Sequence, residues 1–456
     1  MQALFLLAAI AAASLQCAAF KIFNSDNRSP SKIITHESLP GHQLRLRSTD
    51  ESICSGSNGT AGYLDIDEGD KHIFFWAFDS RNKPSSDPVI LWLTGGPGCS
   101  GTGVGALVEL GPCLIKTKNT TVRNPHAWNN NATVIFIDQP LNVGFSYSSE
   151  PITNLHDATI DTHNFLLLLF TAFPKLQSLP FYISGESYGG SWVPSLAQTL
   201  SPLPAHISLK GISLGNAALS DMHQWKGFYP TGCSGPSPLF NVSVCERMAE
   251  NQPRCDRLLE SCDASGQDPV ICQAALDFCR STSVNAILGT NLNPYDMRTS
   301  CEGAMCYRII DTSTAYLNRP EIQKQLGVEA GFTFQQCSSD ISRDFIAAGD
   351  QNRPSEKLVG RLLDHGLKVL VYVGNQDWLC NAAGVRSGVN ELAWRGQSIF
   401  RAQQEKPWLV DGRVSGSMKV ADGLSFVEVF DAGHMVPLDK AYEANILLTT
   451  WINQEL

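Results

Sequence analysis

The sequence predicts an α/β fold, a doubly wound and mostly parallel sheet interrupted by a disulfide-rich, largely helical insertion. Three observations carry this. Short, continuous apolar runs at 88–93, 133–138, 181–183 and 367–373 have the form of strands buried on both faces. Helical stretches separate them, including 156–173 and the segment through Leu196 and Leu200. Polar residues capable of chemistry stand just past the strand ends, where sheets of this kind place their catalytic loops.

Composition narrows the function classes. Hydrophobic residues make up 43% and charged residues 17%, the balance of a globular chain long enough for a deep core. The net charge of −10, with no basic run to offset it, argues against a nucleic-acid partner. Residues 1–19 are apolar and close on Cys17-Ala18-Ala19, the pattern of a cleaved signal peptide. No later segment reaches the ~18 apolar residues of a membrane span.

The chain has 14 cysteines, a count that fits an oxidising compartment. Loss of Cys17 with the signal leaves an odd number, so one thiol stays free or pairs between molecules. Cys255, Cys262, Cys272 and Cys279 lack metal-site spacing, and neither metal nor cofactor is expected. Sequons at Asn27, Asn58, Asn119, Asn131 and Asn241 agree with a secreted or vacuolar glycoprotein. The sequence does not specify an oligomeric state.

Taken in order, residues 20–52 are polar and read as a flexible leader or short pro-segment. A first part of the core follows over 53–217, opening with an aromatic-rich hairpin at 62–66 and 71–78. The strand at 88–93 runs into Thr94-Gly95-Gly96-Pro97-Gly98-Cys99-Ser100-Gly101. Glycines there can aim backbone N–H groups at a ligand, or simply form a loop. Residues 218–366 are polar and cysteine-dense, an insertion placed to act as a lid. The core resumes over 367–456.

Phe181 to Val193 reads as strand, Gly185-Glu186-Ser187-Tyr188-Gly189 turn, and helix. A G-x-S-x-G nucleophile needs this setting, since the turn exposes Ser187 Oγ above a helix N-terminus. Asp377 follows the strand at 367–373, and His434 follows the strand at 425–430 through a glycine. Asp431 is the competing carboxylate, but it lies too close to His434 in sequence for the usual loop geometry. The chain order Ser, Asp, His is that of the α/β-hydrolases, in which His434 would take the Ser187 proton while Asp377 holds the imidazole tautomer.

Four stretches, 92–100, 185–190, 374–377 and 433–437, together resemble the signatures of the serine carboxypeptidases, most closely the carboxypeptidase Y type of fungal vacuoles. The resemblance runs from about residue 62 to 451. It implies release of C-terminal residues from peptides and proteins through an acyl-enzyme. It also implies an oxyanion hole from the N–H groups of Gly96 and Tyr188. Glu186, with Trp92, Thr94, Gly95 and Glu109, would hold the substrate carboxylate. Two close carboxylates cannot both stay ionised, so peptide turnover should favour acid.

Thr94 departs from the Asn usual in this type and resembles the plant acyltransferases of the family. Acyl transfer or ester hydrolysis is therefore the alternative reading, and a non-enzymatic partner protein on the same fold a remote one. By the same resemblance the disulfides would be Cys99–Cys337, Cys233–Cys245, Cys255–Cys279, Cys262–Cys272 and Cys301–Cys306. Cys54 and Cys113 remain as a sixth pair. Cys380 matches the family's free thiol, and with Met435 it suggests a roomy apolar pocket. The long pro-segment of the vacuolar enzymes has no counterpart here.

Overall fold

Alternation of Leu and Arg at 44–47 is the first sign of the sheet. Leu44 and Leu46 point into the core while Arg45 and Arg47 face outward. The computed structural model describes residues 32–67, 70–200, 207–217, 219–234, 238–350 and 355–456. The expected signal peptide, Cys17 and Asn27 lie outside the described residues. The expectation of a loose leader to residue 52 needs correction. Strands β1 (Lys32–Thr35) and β2 (His42–Thr49) pair with each other, and β2 pairs antiparallel with β3 (Gly59–Ile66). A general reading of polarity over 20–52 missed the short period-two pattern inside it.

The remaining strands are β4 (Lys71–Phe78), β5 (Val89–Leu93), β6 (Cys113–Thr117), β7 (Thr120–Arg123), β8 (Thr133–Ile137), β9 (Phe181–Glu186) and β10 (Leu209–Gly215). They continue with β11 (Leu292–Asn293), β12 (Asp296–Ser300), β13 (Lys368–Gly374), β14 (Lys406–Val410), β15 (Arg413–Ala421) and β16 (Leu424–Val429). Twelve of them form one sheet in the order β1-β2-β3-β4-β8-β5-β9-β10-β13-β16-β15-β14. The strands from β8 to β16 in that order run parallel, and both margins are antiparallel. β5, β8 and β9 are buried along their whole length, because helices cover both faces.

Helix α1 (Leu155–Ala172) packs Phe165, Leu166, Leu168, Leu169 and Phe170 onto one face. Asn154 starts it by accepting from Asp157 N at 2.9 Å. Helix α2 (Gly189–Thr199) follows β9 directly and lies on the same face. The opposite face carries a separate core around Trp92, Phe136, Tyr372 and Trp451.

Between β10 and β13, helices Val242–Ala264 and Pro269–Thr282 form a hairpin joined by Cys255–Cys279 and Cys262–Cys272. Its core reaches the main sheet through Trp378, whose ring lies 4.9 Å from Phe228 and 5.1 Å from Phe240. The other disulfides are Cys54–Cys113, Cys99–Cys337, Cys233–Cys245 and Cys301–Cys306. Asn58, Asn119, Asn131 and Asn241 are exposed.

Arg81 clamps the end of the sheet where β8 begins. Its guanidinium donates to Asn124 O at 2.9 Å, Asn130 Oδ1 at 3.0 Å, Ser57 Oγ at 2.9 Å and Pro112 O at 2.7 Å. Arg81→Met would leave several of these acceptors unpaired and should cost about 3 kcal/mol, read as a lower Tm. An unchanged Tm would show that water replaces the clamp.

Candidate active site

The C-terminal ends of the parallel strands converge on one point. β9 ends at Glu186, and the chain turns at Ser187, which adopts φ 60°, a left-handed conformation uncommon for a residue with a side chain. Ser187 N donates to Gly215 O at 3.1 Å, and α2 begins at once, with Tyr188 at its N-cap. The turn is tight because Leu93 crowds it: a Cβ on Gly185 would lie 2.7 Å from Leu93 O.

The Gly95-Gly96 loop at the end of β5 lies directly against this turn. A Cβ on Gly95 would stand 2.5 Å from Ser187 Cβ and 2.8 Å from Tyr188 N, so only glycine allows the approach. Gly96 follows with φ 115°. Main chain from two different strands therefore meets beside one hydroxyl.

His434 and Asp377 arrive from β16 and β13. His434 Nδ1 lies 2.6 Å from Asp377 Oδ2, and both residues are buried. Asp377 takes further donors from Leu379 N at 2.9 Å and Asn216 Nδ2 at 2.8 Å. Asn216 also accepts from Gly374 N at 3.1 Å and donates to Gly433 O at 3.4 Å, so one side chain just past β10 bonds the loops that carry Asp377 and His434. His434 N donates to Tyr295 O at 2.7 Å, and the Tyr295 ring meets the imidazole edge-on at 5.2 Å. Ser187, His434, Glu186 and the Gly95-Gly96 loop line one cavity of about 340 Å³. Thr94, Met305, Leu379 and Met435 complete much of its wall.

Beneath the cavity lies a pair of buried acids. Glu109 closes a π-helix, Gly101–Glu109, that packs beside β5 and β8. Both Glu109 oxygens and Glu186 Oε2 lack a protein donor among the described residues, so a hydrogen bond between the two carboxyls requires that one carry a proton. Burial pushes Glu109 up to about 7 and Glu186 well above the ordinary carboxylate range, and for Glu186 the neighbouring Glu109 adds to the rise. Glu186 Oε1 is 4.0 Å from His434 Nε2. Above the pair, Trp92 Nε1 donates to Thr94 Oγ1 at 3.0 Å, which leaves the Thr94 proton available to a ligand.

Cys380 is buried and lies outside the disulfides. Its sulfur, an Asp377 oxygen and a His434 nitrogen fall within 4.8 Å of one another. The imidazole and carboxylate in that trio already bond each other.

Sequence reasoning did not single out Asn216, Asp138 or Asp439. Asp138, fully buried, accepts from Ser100 Oγ at 2.6 Å, Thr102 N at 2.9 Å and Phe145 N at 2.9 Å, anchoring the far end of the glycine loop and the start of the π-helix. Asp439 accepts from Gly433 N at 2.6 Å and from Arg298 at 2.9 Å, steadying the turn that carries His434. The signal for Asp138 was present, as a carboxylate directly after an apolar strand run.

A family model described as serine carboxypeptidase matches residues 52–454. The chain belongs to the serine carboxypeptidase family. Among relatives, it is 39% identical to carboxypeptidase Y of Candida albicans over 425 residues, covering 92% of this chain and 78% of that one. It is 36% identical to carboxypeptidase Y of Komagataella phaffii, covering 92% and 81%. Among solved structures, a prohormone-processing carboxypeptidase from Saccharomyces cerevisiae shares the fold with a TM-score of 0.71 at 24% identity, covering 92% of this chain and 95% of that one.

The acid pair has a consequence for stability. In the unfolded chain these carboxyls titrate near their ordinary 4.5, whereas the folded protein holds its proton to higher pH. The folded state thus binds more protons between about 4.5 and 7, and stability falls as pH rises through that window. Glu109→Gln should flatten the decline of Tm across it. A slope equal to that of the wild type would contradict a shared, buried proton.

Proposed function

We propose that the protein is a serine carboxypeptidase that releases C-terminal residues from peptides through an acyl-enzyme, favoured in acid. The observation that carries the reading is a cavity of about 340 Å³ lined together by Ser187, His434 and Glu186, with the buried Glu109 beside Glu186. Ser187 Oγ attacks the last peptide carbonyl while His434 accepts its proton. Asp377, held by Asn216, keeps the imidazole oriented. The N–H groups of Gly96 and Tyr188 receive the charge that develops on the carbonyl oxygen. His434 then returns the proton to the departing amine, and water attacks the acyl-enzyme by the same route in reverse.

Specificity for the chain end comes from charge. A substrate carboxylate placed against Glu186 would be repelled unless a proton lies between them, and burial with Glu109 keeps one there through the acid range. Thr94 adds a hydroxyl donor and Gly95 a backbone one. This arrangement, together with two relatives that are carboxypeptidases, favours peptide hydrolysis over acyl transfer. The disulfides and exposed sequons support passage through the secretory pathway. No helix among the described residues is long and apolar enough to cross a membrane.

Ser187→Ala should lower kcat up to ~10⁶-fold with the fold retained, and full activity would remove Ser187 from the mechanism. For a blocked dipeptide, kcat/KM should fall as pH rises beyond about 7, the value to which Glu109 is lifted, while the matching C-terminal amide should not share that loss. Identical profiles for the two substrates would refute the acid-pair account. Asn216→Ala should reduce kcat about 10-fold or more and leave KM nearly unchanged, since it loosens Asp377 rather than the substrate. A change confined to KM would place Asn216 elsewhere.

A further inference from the structure

Glu186, Gly215 and Tyr372 stand in one row across three adjacent parallel strands, β9, β10 and β13, as direct register partners. Residues in register on parallel strands face the same side of the sheet, so the Glu186 and Tyr372 side chains project together, with a glycine between them. That glycine makes room for something. A Cβ on Gly215 would lie 2.4 Å from Tyr372 Cζ and 2.4 Å from its hydroxyl oxygen. The phenol is therefore laid flat over β10, with its hydroxyl carried toward the strand that bears Glu186.

Tyr372 is buried at 3% exposure, and its hydroxyl has no protein partner among the described residues. A buried hydroxyl left unmatched costs about 1–3 kcal/mol, which makes a purely packing role for it expensive. One row below, Ser213 and Ser184 are also register partners, and both hydroxyls are likewise buried without protein partners. A narrow polar strip thus runs down an otherwise apolar sheet face and ends at the acids.

We propose that Tyr372 is a positioning residue for the substrate-carboxylate site: its hydroxyl, at the end of this strip of unmatched hydroxyls, donates through a bridging water to the Glu186–Glu109 carboxyl pair and holds that pair in the arrangement that receives the peptide's terminal carboxylate. This rests on the carboxypeptidase reading. The phenol acts as donor because burial, with Glu186 and Glu109 nearby, keeps it protonated well above its ordinary range. The pair is faced by Tyr372 from β13, by His434, Asp377 and Asp439 from the loops after β16 and β13, and by Tyr295 and Tyr307 from the insertion. Arg298 bonds Asp296 and Asp439 in that network. A donor from Tyr372 favours the doubly ionised form of the pair, so it lowers the pH at which the shared proton is lost.

The test is Tyr372→Phe, which removes one oxygen and leaves the ring. In the variant, the alkaline limb of kcat/KM for a blocked dipeptide should move upward by about half a pH unit or more. The profile for the corresponding C-terminal amide should stay in place. No shift, a downward shift, or an equal shift for both substrates would overturn the proposal. Thermal melting checks the fold, and if this variant does not fold, Gly215→Ala, which displaces the hydroxyl, should move the same limb in the same direction. A wild-type protein that hydrolyses neither substrate would overturn the carboxypeptidase reading itself, and with it this inference. An active wild type with an unmoved limb overturns the Tyr372 role alone.

Discussion

Two carboxyl groups buried side by side repel each other unless they share a proton. Glu186 and Glu109 are in that position, and much of the surrounding structure reads as the means of keeping them there. Glu186 is held at the end of a fully buried strand, one residue before the left-handed turn at Ser187. Glu109 is delivered by a π-helix whose start is anchored by Asp138. Burial, the usual enemy of a carboxylate, is on the proposed reading what would let an acid bind another acid.

The hydrolytic side depends on the same sheet for a different reason. Ser187, Asp377 and His434 come from three strand ends separated by long stretches of chain, and parallel strands bring their C-terminal ends to one edge. Precision is then added by supporting residues around these strand ends. Asn216 ties Asp377 to Gly374, Asp439 and Arg298 hold the Gly433 turn, and the glycine at 95 lets one loop lie against the nucleophile turn. The insertion contributes wall rather than chemistry, through Tyr295 and Met305, and is secured by its own disulfides because its helices bury few apolar side chains.

Much of this is legible in the sequence because its physical cause is local. Apolar runs at 89–93 and 133–137 became strands buried on both faces, and the 165–170 stretch became the buried side of α1. The elbow at 185–189 announces itself through glycines, and Asp377 and His434 through their place after strands. The rest has causes that appear only when strands align. Asn216 gains its role from a loop 161 residues away. Tyr372 reads as one more apolar position until its register with Gly215 and Glu186 is known. β1 and β2 were hidden for another reason, since a short alternation of Leu and Arg was submerged in a longer polar stretch.

The account turns on a proton, and protons can be counted. Calorimetric titration of the protein with a blocked amino acid that carries a free carboxylate, repeated in buffers of different ionisation enthalpy, measures proton uptake on binding. Uptake should be near zero around pH 5, where the acid pair already holds its proton. It should rise toward about one proton per ligand as pH passes about 7, where Glu109 is ionised in the free protein and Glu186 holds the pair's remaining proton. Carboxylate binding with no uptake at any pH would contradict the claim that a shared proton receives the substrate's end.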